Sequence, residues 1–189
     1  MSNSATNSHR DSASSDTCTV ADTVPFVSVI VPVRNGGERL RRCIEALLAQ
    51  DYPKDRYEVL VVDNGSTDGS QDVIRSYPVT FLEETSAASP YVARNLGLEH
   101  AKGDVLAFTD ATCVACETWL LEGVKGLTEN DADLVGGEIT FELGRKPSAA
   151  KICDSLVYVR MKHSVLRKGY GKGGNLFFKK TVFDALGPW

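Results

Sequence analysis

Three polar clusters follow three apolar runs in this sequence: Arg34-Asn35 after FVSVIVPV, Asp63-Asn64 after EVLVV, and Asp110-Ala111-Thr112 after VLAFT. In open α/β sheets ligands bind beyond the carboxyl ends of the strands, so guanidinium, carboxylate and hydroxyl groups delivered there are candidate ligand contacts. Each cluster alone also reads as a turn, because Asn, Asp and Gly dominate loops for backbone reasons. Their joint placement is what points to a site. Cys113-Val-Ala-Cys116 has the spacing of a redox or zinc motif, but no second pair accompanies it and it reads as incidental. His100 and His163 read as satisfied helix residues rather than proton carriers.

The elements that must position these groups alternate between strand-length β-branched runs and stretches of helical period, the pattern of a mostly parallel sheet with crossover helices. FVSVIVPV is nearly continuous in apolar character, as a strand buried on both faces should be. Leu40, Cys43, Ile44, Leu47 and Leu48 then recur at i, i+3, i+4, i+7 and i+8, predicting an amphipathic helix that ends near Tyr52-Pro53. After EVLVV, Thr67-Asp68 is read as the cap of a short helix through Val73 and Ile74, followed by an edge strand VTFLE. Ser89-Pro90 opens a helix expected to reach about Ala101, and Lys102-Gly103-Asp104 turns the chain into VLAFT. Further on, a helix is expected over Trp119 to Leu127, a strand over Leu134 to Phe141, and a helix over Ala149 to Arg167.

The chain has 189 residues with 42% hydrophobic and 24% charged, enough for one core and unlike collagen, coiled-coil or disordered compositions. Its longest apolar runs fall far short of the roughly 20 residues that cross a bilayer. Residues 1–24 are read as a disordered Ser/Thr/Asp-rich tail with almost nothing to bury. The five cysteines, Cys18, Cys43, Cys113, Cys116 and Cys153, fit reduced thiols in the cytoplasm. The net charge of -4 is unevenly spread: residues 1–25 carry -2, residues 26–144 carry -10 and residues 145–189 carry +8. A basic end on an acidic body suggests an anionic partner; a solvated face is the plain alternative.

The segments VSVIVPVRNGGERLRRCIEALLAQDYPKDRYEVLVVDNGSTDGS, ARNLGLEHAKGDVLAFTDAT and GKGGNLFFKKTVFDALGPW carry motifs in the order found in family 2 glycosyltransferases. Over about Val27 to Trp189 the chain resembles that family. The resemblance implies the GT-A fold of nucleotide-diphospho-sugar transferases, a Rossmann-like, mostly parallel α/β sheet with helices on both faces. Residues 25–189 would form its donor-binding portion, with the C-terminal, acceptor part incomplete. The implied reaction moves a sugar from a UDP- or GDP-sugar donor to a saccharide, lipid or other acceptor hydroxyl, with inversion. Polysaccharide, glycolipid or cell-envelope synthesis at the cytoplasmic face of the membrane is the implied setting, with no nucleic-acid partner.

Carried over residue by residue, the resemblance implies that Pro32 and Arg34 flank the nucleoside base, Arg34 standing where the family often has an aromatic residue. Asp63 would accept hydrogen bonds from base or ribose, and Arg94 would approach the nucleotide or its diphosphate, with Asn95 shaping that loop. Asp110 takes the first acidic place of the family's Asp-x-Asp motif, whose carboxylates hold Mg²⁺ or Mn²⁺ against the diphosphate. Thr112 replaces the second, which weakens the expected metal site. Gly173, Gly174 and Asn175 match the family's Gly-Gly-Asn segment beside donor sugar and acceptor, where missing Cβ atoms allow close backbone approach.

Inverting transfer needs a carboxylate to take the acceptor's proton. The resemblance puts it downstream of Gly-Gly-Asn, beyond Trp189, because Asp184 matches a helix position of the family pattern. A chain that binds donor but transfers sugar extremely slowly is the resulting expectation. The alternatives are a noncatalytic sugar-nucleotide-binding module, favoured by Thr112, and a nucleotidyltransferase, which should carry a basic Gly-rich loop directly after the first strand. The expected 149–167 helix, with Lys151, Arg160, Lys162, Arg167 and Lys168 around Ile152, Leu156, Val159 and Leu166, suggests peripheral membrane contact through the basic 145–180 region, or simply a helix packed on the sheet.

Overall fold

The computed structural model describes residues 24–143, 148–150, 152, 155 and 173–188. The expected tail and the basic run therefore fall largely outside the described residues. So does the 149–167 helix, apart from helical positions 149, 150, 152 and 155.

Among the described residues, strands and helices follow in the order β1 (Val27–Val33), α1 (Gly37–Leu48), β2 (Tyr57–Asp63), α2 (Ser70–Arg75), β3 (Thr80–Glu83), α3 (Pro90–His100), β4 (Val105–Thr109), α4 (Trp119–Glu129), β5 (Leu134–Gly136), β6 (Asn175–Lys179) and α5 (Lys180–Leu186). They build one sheet in the order β3-β2-β1-β4-β6-β5. The β3-β2, β2-β1 and β1-β4 pairings are parallel, whereas β6 runs antiparallel to both β4 and β5.

Alternation along β1 explains its nearly unbroken apolar sequence. Val27, Val29, Val31 and Val33 face a core built with Leu40, Cys43, Ile44 and Leu47 of α1, Ile74 of α2, and Trp119, Leu120, Val124 and Leu127 of α4. Ile30 faces the other way, onto Ala93 and Leu98 of α3 and, through Leu106, Phe108, Leu176 and Phe178, the Val182 and Phe183 side of α5. A strand with helices on both faces has no wet side, so both sets of alternate positions must be apolar or satisfied. Ser28, fully buried on β1, is satisfied: its hydroxyl donates to Glu58 at 2.7 Å and accepts from the Lys102 and Gly103 amides at 3.1 and 2.8 Å.

Three boundaries differ from expectation. Helix α1 stops at Leu48, short of Pro53, because side chains collect its last carbonyls: Gln50 Nε2 donates to Ala46 O at 3.0 Å and Lys54 Nζ to Leu48 O at 2.9 Å. Helix α2 starts at Ser70 behind Gly69, and Asp68 contributes by accepting from the Ser70 amide at 3.1 Å. Strand β5 ends at Gly136 instead of Phe141, since the Glu138 carbonyl turns out of the ladder to accept from the Asn175 side chain at 3.0 Å. NLFFK, which no expectation marked, is β6.

Helix α3 lies close to β1 at Gly97, where a Cβ would stand 2.5 Å from Ile30 Cγ2 and 3.3 Å from Val62 Cγ2. Gly97→Ala should therefore destabilise the chain by about 1–3 kcal/mol in urea titration through overpacking. The same change in an open helix would stabilise by about 0.5–1 kcal/mol. A stabilised variant would contradict the close approach.

Candidate active site at the carboxyl edge

The strand order reverses between β1 and β4. Their registered pairing ends at Ile30 with Phe108, while β1 continues against β2 as far as Val33 opposite Asp63. A crevice at such a reversal is where an open α/β sheet binds ligands. Pro32 is buried in β1, past the end of the β1–β4 pairing. The Phe26 carbonyl bonds toward β4 and the Val33 carbonyl toward β2, so Pro32, in phase with Phe26, faces β4 without an N–H to give, and the β1–β4 pairing ends at Ile30 and Phe108.

Arg34 is exposed on the loop that follows, and Asn35 turns that loop at φ 56°. The loop is tied to the one after β2: the Asn35 amide donates to Ser66 Oγ at 2.8 Å and Asn35 Oδ1 accepts from the Thr67 amide at 2.8 Å. The Gly36 amide donates to Ser70 Oγ at 2.9 Å and the Gly37 amide to Asp68 Oδ2 at 3.1 Å. Hydrogen bonds from Ser70 in particular hold the Asp68 carboxyl below the usual carboxylate range.

Asp63 is fully buried at the end of β2. Its Oδ2 accepts from the Ser66 amide at 3.1 Å and from Gln71 Nε2 at 2.9 Å. Its Oδ1 has no hydrogen-bond partner among the described residues. A carboxylate oxygen withdrawn from water without a donor is costly, which makes this atom a candidate acceptor for a donor on a ligand. Asn64 holds the next wall in place by donating to the Glu84 and Ala87 carbonyls at 3.2 and 2.7 Å.

Across β1, Arg94 of α3 reaches Asp110 just past β4. Nη2 donates to Oδ1 at 3.0 Å, with the arginine side chain 10% and the aspartate side chain 43% exposed. Arg94 Nε is buried and also lacks a partner among the described residues. Gly173 and Gly174 lie directly on this pair: a Cβ on Gly173 would sit 3.1 Å from Arg94 Nη2, and one on Gly174 would sit 2.7 Å from Asp110 Oδ2. The antiparallel course of β6 delivers them there, since its first residue, Asn175, pairs with Thr109 at the end of β4.

Asn175 is tied to the scaffold at both ends of its amide. Its Oδ1 accepts from Trp119 Nε1 at 2.9 Å and its Nδ2 donates to Glu138 O. These bonds hold in place the glycines before it. Asp184 is exposed on α5, a helix that begins at the opposite edge of the sheet, where the Lys180 amide donates to Asp104 O at 2.8 Å. His100 bonds to Leu96 O at 2.9 Å within its helix, and His163 lies outside the described residues. Gln71, Trp119 and Ile139, whose Cδ1 would stand 3.2 Å from a Cβ on Gly174, were not marked in the sequence as site-forming. A polar residue in the first turn of a helix and a tryptophan at a helix start carry no local signal of what they touch.

Asp110 is the residue expected to hold a metal. Among the described residues no group of three or more His, Cys, Asp or Glu could hold a metal ion. Asp110 commits Oδ1 to Arg94, and Thr112 is exposed. One half-exposed carboxylate fits a hard cation that takes most of its oxygens from a bound diphosphate and water. The Asp110 carbonyl is pinned from two sides, by the Cys113 amide at 2.9 Å and by Cys43 Sγ at 3.7 Å.

Residues 28–182 match the family described as Glycosyl transferase family 2, and the chain belongs to that family. Glycosyltransferase AglE of Haloferax volcanii is 39% identical over 175 residues, 90% of this chain and 58% of its own length. The mannosyltransferase PcManGT from Pyrobaculum calidifontis, solved with GDP-Man and Mn²⁺, superposes with a TM-score of 0.68 at 28% identity, covering 87% of this chain and 47% of its own. Staphylococcus aureus TarS with UDP-GlcNAc shares the fold at a TM-score of 0.62 and 21% identity, over 85% of this chain and 47% of its own. The fold is GT-A. The chain spans little more than half the length of AglE and just under half of the two solved structures.

Burial pushes the Cys43 thiol up to about 12 from 9.0 and raises Cys113 as well, while Cys116 is exposed. Iodoacetamide at pH 8 should alkylate the Cys116 peptide of the folded chain and spare Cys43 until urea is added, as mass mapping would read. The folded chain keeps the Cys43 proton that the unfolded chain loses, so this thiol's contribution to stability is full below pH 9 and fades between pH 9 and 12. Cys43→Ala should flatten that part of the pH–stability curve.

Proposed function

We propose that this chain supplies the donor-binding site of a glycosyltransferase that moves a sugar, with inversion, from a UDP- or GDP-sugar to an acceptor hydroxyl. The observation that carries the reading is the Arg94–Asp110 pair under the Gly173-Gly174 backbone at the strand-order reversal. A buried cation with a spare N–H beside a half-exposed carboxylate suits a diphosphate and its counter-ion together. Asp63 Oδ1 takes the base through a ring N–H, which uracil and guanine both present, and Pro32 and Arg34 flank it.

Asp110, with Thr112 beside it, would hold Mg²⁺ or Mn²⁺. When bound, such an ion offsets the charge that grows on the departing nucleoside diphosphate. Arg94 orients the diphosphate and holds Asp110 in place, and the two glycines let donor sugar and acceptor approach the backbone. The Mn²⁺ and GDP-Man of the Pyrobaculum mannosyltransferase and the UDP-GlcNAc of TarS support the donor class. Asp184 is not assigned the proton-accepting role. The acceptor is a saccharide or lipid of cell-envelope or polysaccharide synthesis, a reading supported by TarS being a poly(ribitol-phosphate) β-N-acetylglucosaminyltransferase. No helix among the described residues is long and apolar enough to cross a membrane. The +8 charge of residues 145–189 supports work at the cytoplasmic face by peripheral contact.

A second reading, a sugar-nucleotide-binding module without turnover, is favoured by Thr112. Both readings require donor binding. Calorimetry with UDP and GDP should show about tenfold weaker binding in Asp63→Ala and in Arg94→Ala, with circular dichroism unchanged. Unchanged affinity in both removes the site assignment.

Thr112 also sets the expected metal coupling. Mn²⁺ should strengthen UDP binding only modestly in the native chain and several-fold more in Thr112→Asp. Equal coupling in the two would show that the hydroxyl is no handicap.

A further inference from the structure

The Asp63 carboxylate is aimed by a residue that the donor site, as described, does not use. Gln71 on α2 has both ends of its amide engaged. Oε1 accepts from Arg75 Nη2 at 3.2 Å, while Nε2 donates to Asp63 Oδ2 at 2.9 Å and to Glu83 Oε1 at 3.1 Å. The reverse amide orientation would set oxygen against two carboxylates and NH₂ against a guanidinium, so the partners dictate which end points where. Arg75 is itself held, 4.6 Å from the centroid of the Phe81 ring and 3.9 Å from Asp72.

We propose that Gln71 is a positioning residue for base recognition: it pins Asp63 through Oδ2, so that Oδ1 is left as one fixed acceptor for a ring N–H of the nucleotide base. This rests on the donor-site reading above. The residue type fits the task. A carboxylate's last torsion is broad and roughly two-fold, and with only the Ser66 amide on Oδ2 the group could swivel. A neutral amide can donate to Asp63 and Glu83 at once without cancelling the charge that makes Asp63 a strong acceptor, which a lysine there would do.

Pinning has a consequence for selectivity. Uracil N3–H and guanine N1–H are donors, whereas cytosine N3 and adenine N1 carry lone pairs that a fixed carboxylate oxygen repels. A swivelling carboxylate can instead accept from the exocyclic amine of cytosine or adenine. Loss of the Gln71 donor should therefore narrow the preference for UDP over CDP, or for GDP over ADP, rather than weaken all nucleotides alike.

Calorimetry of the full chain with UDP, CDP, GDP and ADP tests this in Gln71→Met and Gln71→Glu. Methionine keeps the length and removes both hydrogen-bonding functions; glutamate keeps the acceptor toward Arg75 and removes the donor toward Asp63. In both, the favoured nucleotide should lose about five- to tenfold in affinity while its disfavoured counterpart changes less than twofold. If Gln71→Met fails to fold by circular dichroism, Gln71→Glu carries the comparison. Variants that keep the full preference, or that weaken both members of a pair equally, overturn the role of Gln71 and leave the donor site standing. A wild-type chain that binds none of the four, or shows no preference, overturns the base-site reading and the role of Gln71 with it.

Discussion

A guanidinium nine-tenths removed from water must have a counter-charge, and the arrangement of the ligand edge follows from where Arg94 finds one. Removing Asp110 would leave that guanidinium buried without compensation, which costs far more than the pair contributes, whereas without Arg94 the half-exposed Asp110 can turn to water. Asp110 meets that need from the end of β4, and α3 must approach β1 closely enough for the arginine to span the gap. Gly97 permits that approach. The same pair fixes what can cover it: two residues without side chains, brought in by a strand that runs against its neighbour.

The site thus joins two kinds of polar group. Those bound for the scaffold are hydrogen-bonded into it, as with Ser28, Gln50 and Asn175, each with partners on more than one segment. Two atoms have no partner among the described residues, Asp63 Oδ1 and Arg94 Nε. Because buried polar atoms are almost always paired, these two support the proposed ligand site more sharply than either residue's identity does.

Much of this was legible in the residues themselves. The β-branched runs ending in Asn, Asp or Arg gave the parallel strands and their ligand ends, because a strand between two helical layers has to be apolar throughout. The i, i+3, i+4 spacing of Leu40, Cys43, Ile44 and Leu47 marked the buried face of α1. Less legible were features decided by distant partners. The end of α1 depends on Gln50 and Lys54 returning to its carbonyls, and the short β5 on an Asn175 side chain far along the sequence. NLFFK went unmarked because a five-residue antiparallel strand inside a glycine-led motif has no period of its own to announce it. Asn175 carried a family motif that pointed toward ligand, while its hydrogen bonds serve Trp119 and Glu138.

The pairing of β5 with β6 carries an evolutionary corollary. Where the ladder closes, the Gly137 amide donates to Asn175 O at 3.1 Å, so the two ends of the stretch between Gly137 and Gly174 are fixed relative to each other by the sheet. For a flexible connection, the cost of joining fixed ends grows only logarithmically with length. Changes of length between these two ends are therefore compatible with an unchanged sheet. On the proposed reading, descendants of one such chain could change the acceptor side without re-evolving the donor side.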